Sequence, residues 1–351
     1  MKDLNTLYRP KKWTDVKGQD KTVSILQKQS ISKTGLSNAY ILSGKSGVGK
    51  TTLARLFFMA INCQSLSKSG NPCLKCASCS NLVFELREVN ASDSRGIDDM
   101  RDLTRDMQLM PASGNYRGVI LDECHQLSKP AWNCLLKPIE ESKRAIWVFC
   151  TTEMHKIPKT IQTRCQIYKL GPLRWTDIHN RLKVIVDDIK MSISNEEMWS
   201  IARNSDNNLR QAIHLLEQYS VLGNLTDVLD EEVDINFLNA LTSTESNDYR
   251  DVWQIFLSWN KKYSDIDVFL NSLKYDLNIC LRMKLGLKVN DVNPYRLKKY
   301  KEIIDKLPEQ KLMTMLQLLL DIQEKTSGVW DYNSLFLNCI IQLKSSQTIL
   351  K

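Results

Sequence analysis

The chain has 351 residues, enough for two or three domains with sizeable cores, and its 25% charged and 42% apolar residues are ordinary globular usage. A net charge of +8 leans towards a polyanionic partner without identifying one. No run of eighteen apolar residues is present and the N-terminus is polar, which speaks against a membrane span or secretory signal, and ten cysteines in such a chain suggest reduced thiols or metal ligands rather than disulfides.

Tyr8-Arg9-Pro10-Lys11-Lys12-Trp13, followed by Asp15-Val16-Lys17-Gly18-Gln19, reads as a loop because of its Pro and Gly. Its aromatic and apolar residues can cover a purine ring; the plainer alternative is an arm packed on the core. A helix follows (Val23, Ile25, Leu26), then a short strand (Ala39, Tyr40, Ile41, Leu42). Next comes Gly44-Lys45-Ser46-Gly47-Val48-Gly49-Lys50-Thr51, which spells G-x-x-x-x-G-K-T, with Thr52 behind it. Leu53, Leu56, Phe57, Ala60 and Ile61 then recur at the spacing of a buried helix face. A phosphate-binding loop belongs between such a strand and helix. Its glycines let backbone N–H groups turn towards phosphate oxygens, and the helix N-terminus adds positive partial charge. Lys50 is then expected to reach the β- and γ-phosphates, and Thr51 to hold Mg²⁺.

Cys63, Cys73, Cys76 and Cys79 follow with the spacing C-x9-C-x2-C-x2-C. Four thiolates so placed can close a tetrahedral Zn²⁺ site, the alternative being unpaired reduced cysteines. With all four positions filled, the site reads as structural. Phe84 to Asn90 is expected to be a second strand, ending in the polar run Asn90-Ala91-Ser92-Asp93-Ser94-Arg95-Gly96 that starts a helix. In that helix Ile97, Met100, Thr104 and Met107 share one stripe. Arg95, Arg101 and Arg105 can contact a phosphate backbone, but the interleaved Asp98, Asp99, Asp102 and Asp106 equally suit a salt-bridged, solvated face.

Gly118 to Leu121 runs into Asp122-Glu123-Cys124-His125, a buried strand ending in two acids. Downstream of a phosphate loop, Asp122 is expected to hold Mg²⁺ through water and Glu123 to orient and deprotonate the attacking water. Ala145 to Cys150 is another buried strand, delivering Thr151-Thr152 to its tip, where a hydroxyl can bond the γ-phosphate or simply cap the strand. Thr163-Arg164-Cys165 precedes a last strand (Ile167, Tyr168, Leu170), and Gly171-Pro172 marks a boundary. The domains expected are a nucleotide-binding α/β domain over 1–171, a helical lid over 172–222 with Arg210 early in its last helix, an acidic linker over 223–235, and an all-helical region over 236–351. Lys298, Lys299, Lys301 and Lys306 make one of its helices basic, a solvated face by default.

Phosphate loop, four cysteines inside the nucleotide domain, Asp-Glu-Cys-His, Thr-Thr and Thr-Arg-Cys occur in that order. The sequence resembles the ATPase subunits of sliding-clamp loaders, of the bacterial DNA polymerase III gamma/tau type, within the AAA+ superfamily. The stretch from Asn90 to Asp98 is more similar to replication factor C small subunits. The resemblance is strong over residues 1–220 and architectural beyond. It implies an AAA+ parallel sheet with a helical lid and a helical collar that oligomerises, ATP with Mg²⁺ and Zn²⁺, and Tyr8, Arg9 and Val16 beside the nucleotide. It places Thr151 at the sensor-1 position and Arg210 at sensor 2. Arg164 falls on the arginine finger, which acts in trans on the neighbouring subunit's nucleotide. The implied partners are other loader subunits, of the same or different kinds, in a pentameric ring, with a sliding clamp and primer-template DNA; no membrane is expected.

The activity implied is ATP-dependent placement of the clamp on DNA during replication, in the bacterial cytoplasm or that of a phage-infected cell. A DNA-remodelling or branch-migration motor and a non-hydrolysing structural subunit are the alternatives; intact Lys50, Thr51, Asp122 and Glu123 speak against the latter. Three departures stand out. Thr163 replaces the family's Ser, Cys124 a small aliphatic residue, and Pro138 falls in a helix that should therefore kink or end early. The extension by which tau-type subunits hold helicase and polymerase is not in this sequence, which leaves those contacts open.

Overall fold

Five strands before Gly171 form one parallel sheet in the computed structural model, which describes residues 3–80, 86–109, 111, 115–142, 144–223, 233–242, 250, 252–255, 257, 266–289, 292 and 294–326. The strands are β1 (Ala39–Ser43), β2 (Leu86–Asn90), β3 (Arg117–Asp122), β4 (Ala145–Thr151) and β5 (Gln166–Lys169). They lie in the order β2-β3-β4-β1-β5, every neighbouring pair parallel. Parallel pairing needs long crossovers, and helices lie between the strands in sequence. These are α1 (Asp20–Ser32) before β1, α2 (Lys50–Asn62), α3 (Ile97–Met107) and α4 (Lys129–Glu141).

Successive strand residues point to opposite faces, so each strand feeds two cores. Ile41, Val119, Leu121, Trp147 and Phe149 pack with Met100 and Leu103 of α3 and Trp132 and Leu135 of α4. Tyr40, Leu42, Ile120, Ile146 and Val148 pack instead with Leu26 of α1 and Leu53, Phe57, Phe58 and Ile61 of α2. Gly118 is required where β3 meets α2, since a Cβ there would lie 2.3 Å from the Phe58 ring. In the ladder Ser43 sits opposite Thr151 and Asn90 opposite Asp122, which brings the C-terminal ends of the strands to one edge. Open parallel sheets bind their ligands at that edge.

Three helices complete this first compact unit, Met1–Gly223: α5 (Trp175–Ile189), α6 (Asn195–Arg203) and α7 (Leu209–Leu222). The start of α6 is a capping box, Glu197 N donating to Ser194 Oγ and Ser194 N to Glu197 Oε2. Asn208 caps α7 by accepting from the backbone N–H groups of Arg210 and Gln211, and Gly223 ends it at φ +73°. This unit is thus α/β, a parallel sheet flanked by helices and followed by a three-helix group.

The second unit, Asn224–Lys351, is all-helical among its described residues. It contains α8 (Val233–Thr242), α9 (Ile266–Lys284), α10 (Pro294–Lys306) and α11 (Glu309–Thr326). Leu273, Leu277 and Cys280 of α9 pack with Tyr300 and Ile303 of α10 and Leu312, Met315 and Leu319 of α11. Inside this core Arg296 Nη1 lies 3.2 Å from both oxygens of the fully buried Asp276, and the Tyr300 hydroxyl donates to Asp276 at 2.7 Å. Removing one partner would strand a buried charge. Among the described residues no helix is long and apolar enough to cross a membrane.

Two expectations need correction. Helix α4 does not end early at Pro138 but continues to Glu141, with Ser142 N donating to Pro138 O at 3.2 Å; the proline withholds one donor without stopping the helix. The linker expected over 223–235 is too long at its end, because α8 begins at Val233; residues 224–232 lie outside the described residues, as do 81–85 at the expected start of β2 and 327–351 of the helical region.

Candidate nucleotide-binding site

At the C-terminal edge of the sheet lies a cavity of about 320 Å³. Tyr8, Arg9, Ser46 through Thr52, Asp122, Glu123 and Arg210 line it, together with Arg55, Glu88 and Asp177. The loop before α2 turns through Gly47 at φ +74° and Gly49 at φ +98°, left-handed conformations that glycine adopts without strain. Gly47 also makes a close approach: a Cβ there would stand 1.9 Å from the side-chain oxygen of Asn208, the cap of α7. The lid helix therefore rests directly on the phosphate-loop turn.

Lys50 is buried, and its ammonium donates to the carbonyls of Gly44 (2.9 Å) and Lys45 (3.0 Å). Those carbonyls hold it beneath the loop. Thr51 Oγ1 donates to Asp122 Oδ2 at 2.7 Å, joining the two oxygen ligands that a magnesium ion would require. Burial, then the neighbouring guanidiniums of Arg55 and Arg210, lower the Arg9 pKa from its ordinary value. Cations thus crowd this cavity, and an anionic ligand would relieve the crowding. Val16 does not line the cavity; it packs against the core behind it.

Glu123 sits at φ +47°, ψ +38°, a left-handed conformation that a non-glycine residue adopts at some cost. Its Oε2 accepts from Thr152 Oγ1 at 3.3 Å. Thr151 is fully buried and does not line the cavity. Its hydroxyl accepts from Glu153 N at 2.9 Å and lies 3.2 Å from Nδ1 of His125. The exposed hydroxyl at the tip of β4 is that of Thr152.

Arg164 is not at the cavity. Its Nε donates to Glu140 Oε1 at 2.5 Å and its Nη1 to Thr160 O at 2.7 Å. On α3, Arg101 pairs with Asp98 (2.9 Å) and Arg105 with Asp102 (2.8 Å), each three residues apart, and Arg95 Nε donates to Ser92 O at 2.7 Å. All three arginines are exposed. Exposed pairs of this kind are weak enough for another anion to replace the aspartate.

The four cysteines come together: the Sγ atoms of Cys63, Cys73, Cys76 and Cys79 all lie within 4.8 Å of one another. Cys73 N donates to Cys63 Sγ and Cys76 N to Cys73 Sγ, the N–H···S pattern that stabilises thiolates. Backbone N–H groups of Lys75 and Cys76 bring the Cys73 thiol down to about 6. Burial raises the Cys63 and Cys79 thiols, but four sulfurs this close together fit the ligand set of a tetrahedral zinc ion. Cys63 is the C-cap of α2, whose first residues are Lys50 and Thr51. The same loop grips the N-terminal arm, since the buried Trp13 donates its indole N–H to Gly70 O and its backbone N–H to Asn71 Oδ1, both at 2.8 Å.

Sequence reasoning missed Arg55, Glu88, Asp177 and Asn208. Arg55 was findable, being one helical turn beyond Thr51 and so on its face. Glu88 and Asp177 reach the cavity through strand order and lid placement, which no local pattern encodes.

A family model described as DNA polymerase III, delta subunit, matches residues 18–174. The tau subunit of DNA polymerase III from Bacillus subtilis is 34% identical over 233 residues, 65% of this chain and 41% of that protein. The gamma subunit from Buchnera aphidicola is 33% identical over 227 residues, 63% of this chain and 61% of that protein. The chain thus spans less than two thirds of the length of either curated relative, and neither supports a phage setting. A solved structure of Thermotoga maritima RuvB, a Holliday junction branch migration motor, is similar at 19% identity and a TM-score of 0.47, over 83% of this chain and 91% of that one.

Proposed function

We propose that this chain is a clamp-loader-like AAA+ subunit, an ATP-hydrolysing motor that places a sliding clamp on primer-template DNA. The observation that carries this reading is the convergence of Lys50, Thr51, Asp122, Glu123 and Arg210 on one cavity while Arg164 lies outside it. Each subunit then holds nearly all of a site and lends one arginine to its neighbour's.

In this reading Lys50 turns from the Gly44 and Lys45 carbonyls to the phosphates, and the loop N–H groups cradle them. Thr51 and Asp122 would hold Mg²⁺, which shields phosphate charge when bound. Glu123 orients the attacking water and takes its proton. Arg210, in the first turn of α7, reports the nucleotide to the lid, and Tyr8 and Arg9 close the base end. The cysteine cluster would hold one structural zinc. Arg95, Arg101 and Arg105 would exchange their intrachain partners for DNA phosphates inside a ring of loader subunits.

The test is phosphate release by the assembled chain with primer-template DNA and candidate clamps, added separately and together. Synergy between DNA and clamp supports a loader; equal stimulation by DNA alone would point to a remodelling motor. Lys50→Ala is expected to abolish turnover, and unchanged turnover would remove the catalytic assignment altogether.

A further inference from the structure

The mechanism above leaves one buried group unused. His125 follows the acid pair in a single 3₁₀ turn, Cys124–Gln126, and its side chain is only 5% exposed. Both ring nitrogens are engaged. Nε2 lies 3.1 Å from both Glu153 Oε1 and the amide nitrogen of Gln126, while Nδ1 lies 3.2 Å from Thr151 Oγ1 and 3.4 Å from Glu123 Oε2.

The hydrogens can be placed by elimination. The Glu153 carboxylate only accepts, so Nε2 carries the hydrogen that bonds it, and the Gln126 amide, turned by the flip that exchanges its nitrogen and oxygen, presents its oxygen to the same hydrogen. In the neutral ring Nδ1 is then an acceptor, and the Thr151 hydroxyl, which itself accepts from Glu153 N, donates to it. A closed circuit results: Glu153 N–H to Thr151, Thr151 O–H to His125 Nδ1, His125 Nε2–H back to Glu153. Nδ1 thus presents a lone pair, not a hydrogen, to the nearby Glu123 oxygen. The ring walls off that direction and offers the carboxylate no bond. What remains to Glu123 is the Thr152 hydroxyl, at 3.3 Å, and the cavity.

We infer that His125 is a positioning residue, held in the Nε2–H form by Thr151 and Glu153, which aims the Glu123 carboxylate at the nucleotide site. Thr151, buried away from the cavity, acts on the site through this ring. Glu153 extends the circuit to Lys156, bonded to it at 2.9 Å in the turn that leads to Arg164's segment. The inference rests on Glu123 being the base of the proposed ATPase.

The test compares His125→Ala, His125→Gln and Glu123→Gln in the full chain. Turnover is measured in the assembled ring and nucleotide affinity with a fluorescent ATP analogue. His125→Ala should lower kcat at least tenfold with affinity within twofold, and His125→Gln, whose amide can meet Glu153, should recover part of it. Equal losses of kcat and affinity, or no loss, would overturn the inference. Nitrogen-15 spectra of the histidine rings supply a readout independent of turnover. The His125 signal, assigned by its loss in His125→Ala, should report the Nε2–H tautomer, and the Nδ1–H tautomer would overturn it. Glu123→Gln separates the two readings: if it retains turnover, the assignment of the base fails. If it is inactive while His125→Ala is fully active, the positioning role alone fails.

Discussion

The guanidinium of Arg164 is bonded within its own chain, by Glu140 at 2.5 Å on Nε and by Thr160 O at 2.7 Å on Nη1. An arginine that serves a neighbour's site must first give up these partners. The two side chains are 34% and 50% exposed, so the ion pair is worth at most about 1 kcal/mol. Glu140→Gln should therefore raise DNA-stimulated turnover roughly two- to fivefold. Arg164→Ala should lower it at least 100-fold or so while leaving nucleotide affinity intact. Steady-state phosphate release on the assembled ring checks both. A fall in Glu140→Gln would mean that Glu140 positions the arginine instead of restraining it.

Gly47 is where the lid touches the phosphate loop. Gly47→Ala forces a left-handed φ on alanine, at about 1 kcal/mol, and drives a methyl group into Asn208. The lid must shift, carrying Arg210 with it. Nucleotide affinity should fall at least tenfold while the circular dichroism spectrum stays native. Asn208→Ala, which loses the cap but relieves the contact, should restore part of that affinity in the double variant.

Much of this was legible in the sequence because it is local. The phosphate loop, the acid pair and the cysteine spacing are each written within a few consecutive residues and carry their chemistry with them. Thr151 shows the limit. Its place at the end of β4 follows from the apolar run, but whether its hydroxyl or that of Thr152 is exposed depends on the strand's phase, and alternation puts the first of them inside. The Asp98–Arg101 and Asp102–Arg105 pairs were readable as a rival to DNA contact, and the isolated chain forms them. Pro138 does not end α4, which tolerates one missing donor where Trp132, Leu135 and Ile139 are buried around it.

The cysteine cluster should bind about one zinc per chain, measurable by elemental analysis of protein purified without added metal. Cys76→Ser should lose it. A stability loss of ~2 kcal/mol or more would lower the melting temperature by roughly 5 °C at this domain size. A metal-free protein that melts like the wild type would refute the site.

Tyr8 donates to Asp188 of α5, and burial followed by that bond pushes its phenol up to about 12. An unfolded tyrosine titrates near 10. A raised pKa contributes stability that is fully present below pH 10 and is lost as the pH rises towards 12. The wild type should therefore melt above Tyr8→Phe at pH 9, and the gap should close between pH 10 and 12. Tyr40, also pushed up to about 12, is common to both proteins and cancels in the difference. A constant gap across that range would show that the phenol's proton is not what ties the arm to the lid.

Helix α2 starts at Lys50 and ends at the cap residue Cys63, a rod about 20 Å long with phosphate chemistry at one end and thiol chemistry at the other. Trp13 ties the second end back to the first, because the arm it anchors at Gly70 and Asn71 also carries Tyr8 and Arg9 to the cavity. The insert is therefore not a detachable ornament. A shortened protein lacking residues 63–79 would leave Trp13 without its moorings, and the mouth of a site a helix-length away would slacken. Any redesign that dispenses with the cysteine loop must first find that tryptophan another anchor.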